Sequence, residues 1–214
     1  MTIDPRLVDD GRHVRKLQRT PIDHDHGDRM KLALVAVVLL GTLSCSDSTG
    51  PSGTEGTVSF TYTGAGGGSF NASGNAPSFT IPPTGTSWAV GYVDAGDTYI
   101  VGSRPRSGGL QDLAGIRLGR TTTGSAIIDP TCNIDSGTSC TGMELLLNFN
   151  GNGDTADFFC DLTSGTIVVT EMTTSRAKGT FSGSGTCVTG TGGASSAFSV
   201  SDGTFDVAMV TPPA

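Results

Sequence analysis

The sequence predicts an all-β protein, an antiparallel β-sandwich or closed β-barrel of about ten to twelve short strands. Three observations predict it. Glycine is abundant and charge is low, with 32 glycines in 214 residues and only 15% Asp, Glu, Lys and Arg. That is the composition of a turn-rich β-protein. Apolar residues recur at every second position, as Val58, Phe60 and Tyr62 do among serines and threonines, which places them on one face of a strand. Short runs of this kind return with turn residues between them at roughly 8–12-residue spacing, and no long stretch keeps a helical period.

The elements follow in order. Residues 57–63 (TVSFTYT) are the first strand, and 69–73 (SFNAS) and 78–82 (SFTIP) are short candidates. Residues 87–93 (SWAVGYV) and 98–103 (TYIVGS) flank Asp94-Ala95-Gly96-Asp97, a hairpin turn in which glycine supplies the positive φ. Trp88 is in phase with Val90 and Tyr92, so the reading makes it a core residue. Residues 114–118 and 125–129 are further candidates, followed by the more apolar 144–149 (ELLLNF) and 157–162 (DFFCDL). Residues 166–172 (TIVVTEM) and 177–185 (AKGTFSGSG) are joined by a turn at Thr174-Ser175-Arg176. Residues 197–200 and 204–210 (TFDVAMV) close the domain.

Ahead of this domain lie three segments of different composition. Residues 1–29 are polar, mixed in charge and without apolar periodicity, so they are expected to be disordered. Met30 is the expected start of the working signal. From there a cationic flank (Arg29, Lys31) leads into a short apolar run and then the small and polar residues Gly41-Thr42-Leu43-Ser44 before Cys45. An apolar core of about a dozen residues is too short to span a bilayer, which takes roughly 20, and reads as a secretion signal. Residues 45–56 are a Ser/Gly/Pro tether, and 57–214 form the single all-β domain.

The 30–45 segment resembles a bacterial lipoprotein signal peptide, with a lipobox-like Thr42-Leu43-Ser44-Cys45 in which Thr42 stands where the family usually has leucine. The resemblance implies removal of residues 30–44 and lipidation of Cys45. It places the mature chain at the membrane of the cell envelope, in an outer membrane facing periplasm or cell surface. An ordinary secretion signal, leaving Cys45 as a spare thiol, is the alternative.

Removing these segments leaves a distinctive inventory. His13, His24 and His26 all precede Cys45, so the mature domain has no histidine. Beyond Cys45 there are six basic and fourteen acidic side chains, a net charge of −8, which gives no footprint for nucleic acid. Cys132, Cys140, Cys160 and Cys187 form an even set in an exported chain and read as two disulfides. Three connectivities exist; Cys132–Cys140 and Cys160–Cys187 are favoured. Zinc is disfavoured, because no CxxC pair and no mature histidine is present.

Catalysis has little to work with. Ser-His-Asp and Cys-His schemes need a histidine, so the sequence predicts no enzyme. Carboxylate chemistry would need an acidic pair roughly 5–10 Å apart in one cleft. Glu144, Glu171, Asp94 with Asp97 and Asp157 with Asp161 supply the acids, all on predicted turns or strands. Asn150, Asn152, Asp154 and Asp157 surround Gly153 like the start of a calcium loop, but Asn148 and Phe159 replace the opening and closing acids. A plain Asn/Gly hairpin loop is the simpler reading, and calcium would bind weakly. The expected function is a lipid-anchored binding or structural module with an unidentified protein or glycan partner. The alternatives are a lipocalin-like carrier with a cavity lined by Phe60, Tyr62, Trp88 and Tyr92, or a carboxylate-dependent glycan hydrolase.

Overall fold

The computed structural model describes residues 55–75, 85–134, 136–149, 156–190 and 193–211. Ten strands run through them: β1 (Gly56–Thr63), β2 (Gly68–Gly74), β3 (Trp88–Asp94), β4 (Asp97–Pro105), β5 (Gln111–Leu118), β6 (Gly124–Ile127), β7 (Gly142–Phe149), β8 (Phe158–Met172), β9 (Arg176–Thr189) and β10 (Ser195–Val210). A single 3-10 turn, Ser107–Gly109, is the only helical element among the described residues. The cysteine at the lipobox, the signal segment and the 78–82 candidate lie outside the described residues.

All ten strands belong to one hydrogen-bonded network that folds over into two layers. One layer has the order β2-β1-β10-β9-β8-β6 and the other β3-β4-β5-β7. Two strands link the layers. The start of β8 pairs with β7 through Leu145↔Cys160, and the end of β10 runs parallel to β3 at Met209↔Gly91. Every other pairing is antiparallel. The layers approach closely where glycine allows it: a Cβ on Gly102 would lie 3.1 Å from Ala72 Cβ and 3.1 Å from Val58 Cβ.

Alternation explains the core. In β1, Val58, Phe60 and Tyr62 are buried while Thr61 and Thr63 are exposed. Phe60 stacks on Phe70 with ring centroids 4.8 Å apart and meets Phe181 edge-on at 5.6 Å. Ile100, Ile116 and Leu145 line the opposing layer, and the Cys160–Cys187 bridge joins the cross-strand partners of β8 and β9 within the same core, both sulfur residues fully buried. Burying each such aromatic or aliphatic side chain stabilises the fold by roughly 1.5–3 kcal/mol.

Three strands are much longer than the sequence predicts, 15, 14 and 16 residues for β8, β9 and β10. The Ser/Gly signals that read as turns are bulges instead. Register shifts fall between Leu162 and Ser164 in β8 and between Val200 and Gly203 in β10. At the second, Asp202 takes φ +54, so the chain bends without leaving the ladder. The Asp94–Asp97 turn does reverse the chain: Ala95 and Gly96 have φ +48 and +90, the two positive values of a type I′ hairpin.

Between β9 and β10 the glycines face aromatic rings. Phe181 pairs with Gly203, Phe205 with Gly179 and Phe198 with Gly185. A Cβ on Gly203 would lie 2.6 Å from the Phe181 ring. Glycine at 179 and 203 is therefore a packing requirement, since the Phe205 and Phe181 rings occupy the space a side chain there would need, while at Gly185 the Asp161 carbonyl and the Leu162 backbone stand in that space.

Candidate functional site

Charged groups inside the fold were not apparent from the sequence. Arg117 and Asp97, each about 3% exposed, lie on the outward side of β4 and β5. Arg117 Nε donates to Asp97 Oδ2 at 2.8 Å, and its Nη1 donates to the carbonyls of Ser136 at 2.5 Å and Ile134 at 3.2 Å. Ser139 Oγ donates to Asp97 Oδ1 at 2.5 Å. Ser136 and Ser139 lie within the 132–140 segment closed by the Cys132–Cys140 bridge, so this ion pair holds that loop against the sheet. Asp112, fully buried, accepts from Arg104 and Arg106 at 2.7 Å each and from the Asn148 backbone N–H at 3.0 Å.

The remaining cations beyond Cys45 are engaged as well. Arg176 pairs with Asp206 at 2.5 Å, and Lys178 bridges Glu171 at 3.4 Å and Asp206 at 3.6 Å. Asp206 raises the Arg176 pKa, chiefly through their hydrogen bond. Arg120 Nη2 donates to the Ser125 carbonyl at 2.8 Å, and Arg104 Nη1 to the Ser69 carbonyl. These two carbonyls belong to β6 and β2, the edge strands of the larger layer.

The residues singled out in the sequence are distributed as follows. Cys132 pairs with Cys140 and Cys160 with Cys187. Of the calcium candidates, Asn150, Asn152 and Asp154 lie outside the described residues; Asp157 is exposed and accepts from Asn148 Nδ2 at 2.8 Å. Among the described residues no cluster of three or more His, Cys, Asp or Glu is arranged to hold a metal ion. Asp94 and Asp97 face each other across their turn, Glu144 and Asp161 are cross-strand partners on β7 and β8, and Glu171 pairs with Lys178.

The four residues of the expected carrier cavity separate. Phe60 and Tyr62 are packed in the aromatic core, whereas Tyr92 stacks on Tyr99 at 5.0 Å. Trp88 and Val90 are buried, but on the face of β3 opposite Ala89 and Gly91. That inner face meets the core: a Cβ on Gly91 would sit 3.1 Å from Val207 Cγ2. Trp88 and Val90 are buried, as their phase predicts, while Tyr92 is half-buried.

The outward face of the larger layer has a composition of its own. One row across five strands reads Val168, Thr180, Thr204, Ser59 and Asn71; another reads Ser164, Ser184, Ser199 and Thr63. Between them Thr166 faces Ser182, and Ser201 faces Thr61 and then Ser69. Of these fourteen positions, thirteen are Ser, Thr or Asn and none is charged. Neighbouring hydroxyls bond to one another, Ser59 Oγ to Thr204 Oγ1 at 2.9 Å and Thr63 Oγ1 to Ser199 Oγ at 2.6 Å.

The β10 bulge makes a groove in this face. The open groove, about 430 Å³, is lined by Thr166, Val168, Thr180, Ser182, Asp202 and Thr204. Asp202 is exposed and is contacted by Ser201 Oγ at 3.3 Å. Beside it Ile127, 79% exposed, pairs with Thr166, and Val168 is 37% exposed. Val93 is the only other exposed large apolar side chain among the described residues. The groove thus combines hydroxyls that both donate and accept, one acceptor-only carboxylate and a small apolar rim.

No family profile, no curated protein and no solved structure matches the chain. Among the described residues no helix is long and apolar enough to cross a membrane.

Proposed function

We propose that the chain is a lipid-anchored module of the bacterial cell envelope whose β-domain binds a partner or serves a structural role, without catalysis. The observation that carries this reading is the use of cysteine. All four cysteines of the folded domain are joined in two bridges, which suits an exported, oxidising setting. The fifth is Cys45, at the end of the signal-like segment. Two of the acids weighed for hydrolysis support the non-catalytic part. Asp97 is held by Arg117 and Ser139, and Glu171 by Lys178, as in structural ion pairs.

Replacing Cys45 with alanine is expected to move the protein from the membrane fraction to the soluble fraction and to abolish metabolic labelling with a fatty acid. Membrane retention of the alanine variant would overturn the anchoring.

A further inference from the structure

We infer that the outward face of the β2-β1-β10-β9-β8-β6 layer docks a neutral polysaccharide, seated in the groove at Asp202. This rests on reading the chain as a binding module and names the chemistry of its partner. Three observations converge there. The central rows of the face are an ordered field of hydroxyls with one amide, thirteen of fourteen positions on five adjacent strands. Exposed sheet faces ordinarily carry interspersed charges; these fourteen positions carry none, and the charges of the face lie at Asp202 and in the next row, Asp206, Lys178 and Glu171. The field also has a concave centre, the open groove of about 430 Å³; of the three exposed large apolar side chains among the described residues, Val168 lines it and Ile127 is the cross-strand partner of its Thr166.

A sugar ring matches this set group by group. Its hydroxyls exchange hydrogen bonds with Thr180, Ser182 and Thr204. Two neighbouring sugar hydroxyls donate to the two oxygens of Asp202, an arrangement only a carboxylate accepts in full. The C–H face of the ring covers Val168 and Ile127. Strands about 4.8 Å apart carry the field over roughly 19 Å across five strands, which suits several linked sugars rather than one.

Charge and shape narrow the class. The domain's cations are all engaged in contacts within the fold, and the net charge beyond Cys45 is −8, so an anionic polymer is repelled. Adjacent strands rotate by about 20–25° relative to one another. A rigid lattice such as ice cannot follow that rotation across five strands, whereas a flexible chain can.

The test is electrophoresis of the full chain in native gels containing dextran, galactomannan or mixed-linkage β-glucan, with alginate as the anionic comparison. At least one neutral polymer is expected to retard the protein, and alginate is not. Asp202→Asn keeps the left-handed backbone accessible and removes the carboxylate; it should weaken retention about tenfold. Thr180→Glu with Thr204→Glu should abolish it, and Val93→Thr, on the other layer, should leave it unchanged. Thermal melts establish that each variant is folded. Retardation by none of the three neutral polymers, equal retention of the glutamate variant, or stronger retention by alginate overturns the inference. Inhibition of ice growth without retardation assigns the face to ice and overturns it as well. Membrane fractionation of the Cys45→Ala variant is read separately, so the failure of anchoring and the failure of glycan binding are distinguishable.

Discussion

Phe205 lies directly across from Gly179 on the neighbouring strand, with its ring over the position a side chain at 179 would occupy. A Cβ there would meet Phe205 Cε1 at 2.7 Å and also run into the Val168 carbonyl oxygen. Gly179→Ala is therefore expected to destabilise the domain by roughly 1–3 kcal/mol, the usual cost of overpacking, as measured by denaturant unfolding. Combining it with Phe205→Leu should cost less than the sum of the two single changes, because the smaller side chain relieves the same collision. Strict additivity would show that the ring is not the obstacle.

Arg117 and Asp97 predict an asymmetric response. Arg117→Met leaves the Asp97 carboxylate buried without its cation, expected to cost roughly 3–5 kcal/mol. Adding Asp97→Leu should restore part of that loss, since two buried charges are then replaced by apolar groups. Hydrogen exchange provides a second readout: amides within 132–140 should exchange faster in the single variant, whose loop carbonyls have lost the guanidinium.

The two disulfides differ in leverage. Cys160–Cys187 closes a loop of 27 residues and Cys132–Cys140 one of 8. Chain entropy gives roughly 3.5 and 2.5 kcal/mol respectively. Removing the first also disturbs packing in the core, because both of its residues are fully buried. Thermal melts of the paired Cys→Ala variants are expected to rank in that order. A larger loss from the Cys132–Cys140 pair would show that the loop clamp outweighs the core staple.

Asp129 predicts a response to acid. Its carboxyl is held below the ordinary aspartate pKa by the Thr131 backbone N–H at 2.8 Å, helped by the Thr131 hydroxyl at 2.7 Å. The folded-state pKa is depressed, so the contribution is present above the unfolded pKa. It is lost as pH falls through the folded value. An NMR titration should place the Asp129 midpoint below the ordinary aspartate value, and Thr131→Val should raise it. A normal midpoint in the intact protein would contradict the turn geometry.

Much of the fold was legible in the sequence because burial in a strand leaves a period of two. Val58, Phe60 and Tyr62 mark β1, and Asp94-Ala95-Gly96-Asp97 marks the β3–β4 turn. The bulges were not legible, because Ser201-Asp202-Gly203 carries the same positive-φ signal whether the chain reverses or only bends. Trp88 shows the limit of periodicity: it gives the phase of a strand but not which side meets the core. Arg117 left a faint trace, a cation inside the apolar run Ala114-Gly115-Ile116-Arg117-Leu118; its partner Asp97 is twenty residues away and had none. The hydroxyl face was present as the polar half of each alternation, and became a feature only once strand register aligned five such halves.

Arg104 and Arg120 each hold a carbonyl of an edge strand, at Ser69 and Ser125. A strand arriving from another molecule finds those acceptors taken and must first displace a guanidinium. Growth of the sheet from one copy into the next is thereby obstructed at both margins. Because the hydroxyl rows of the broadest face carry no charge to hold neighbours off, these two side chains supply a barrier to self-association that would otherwise have to come from electrostatic repulsion.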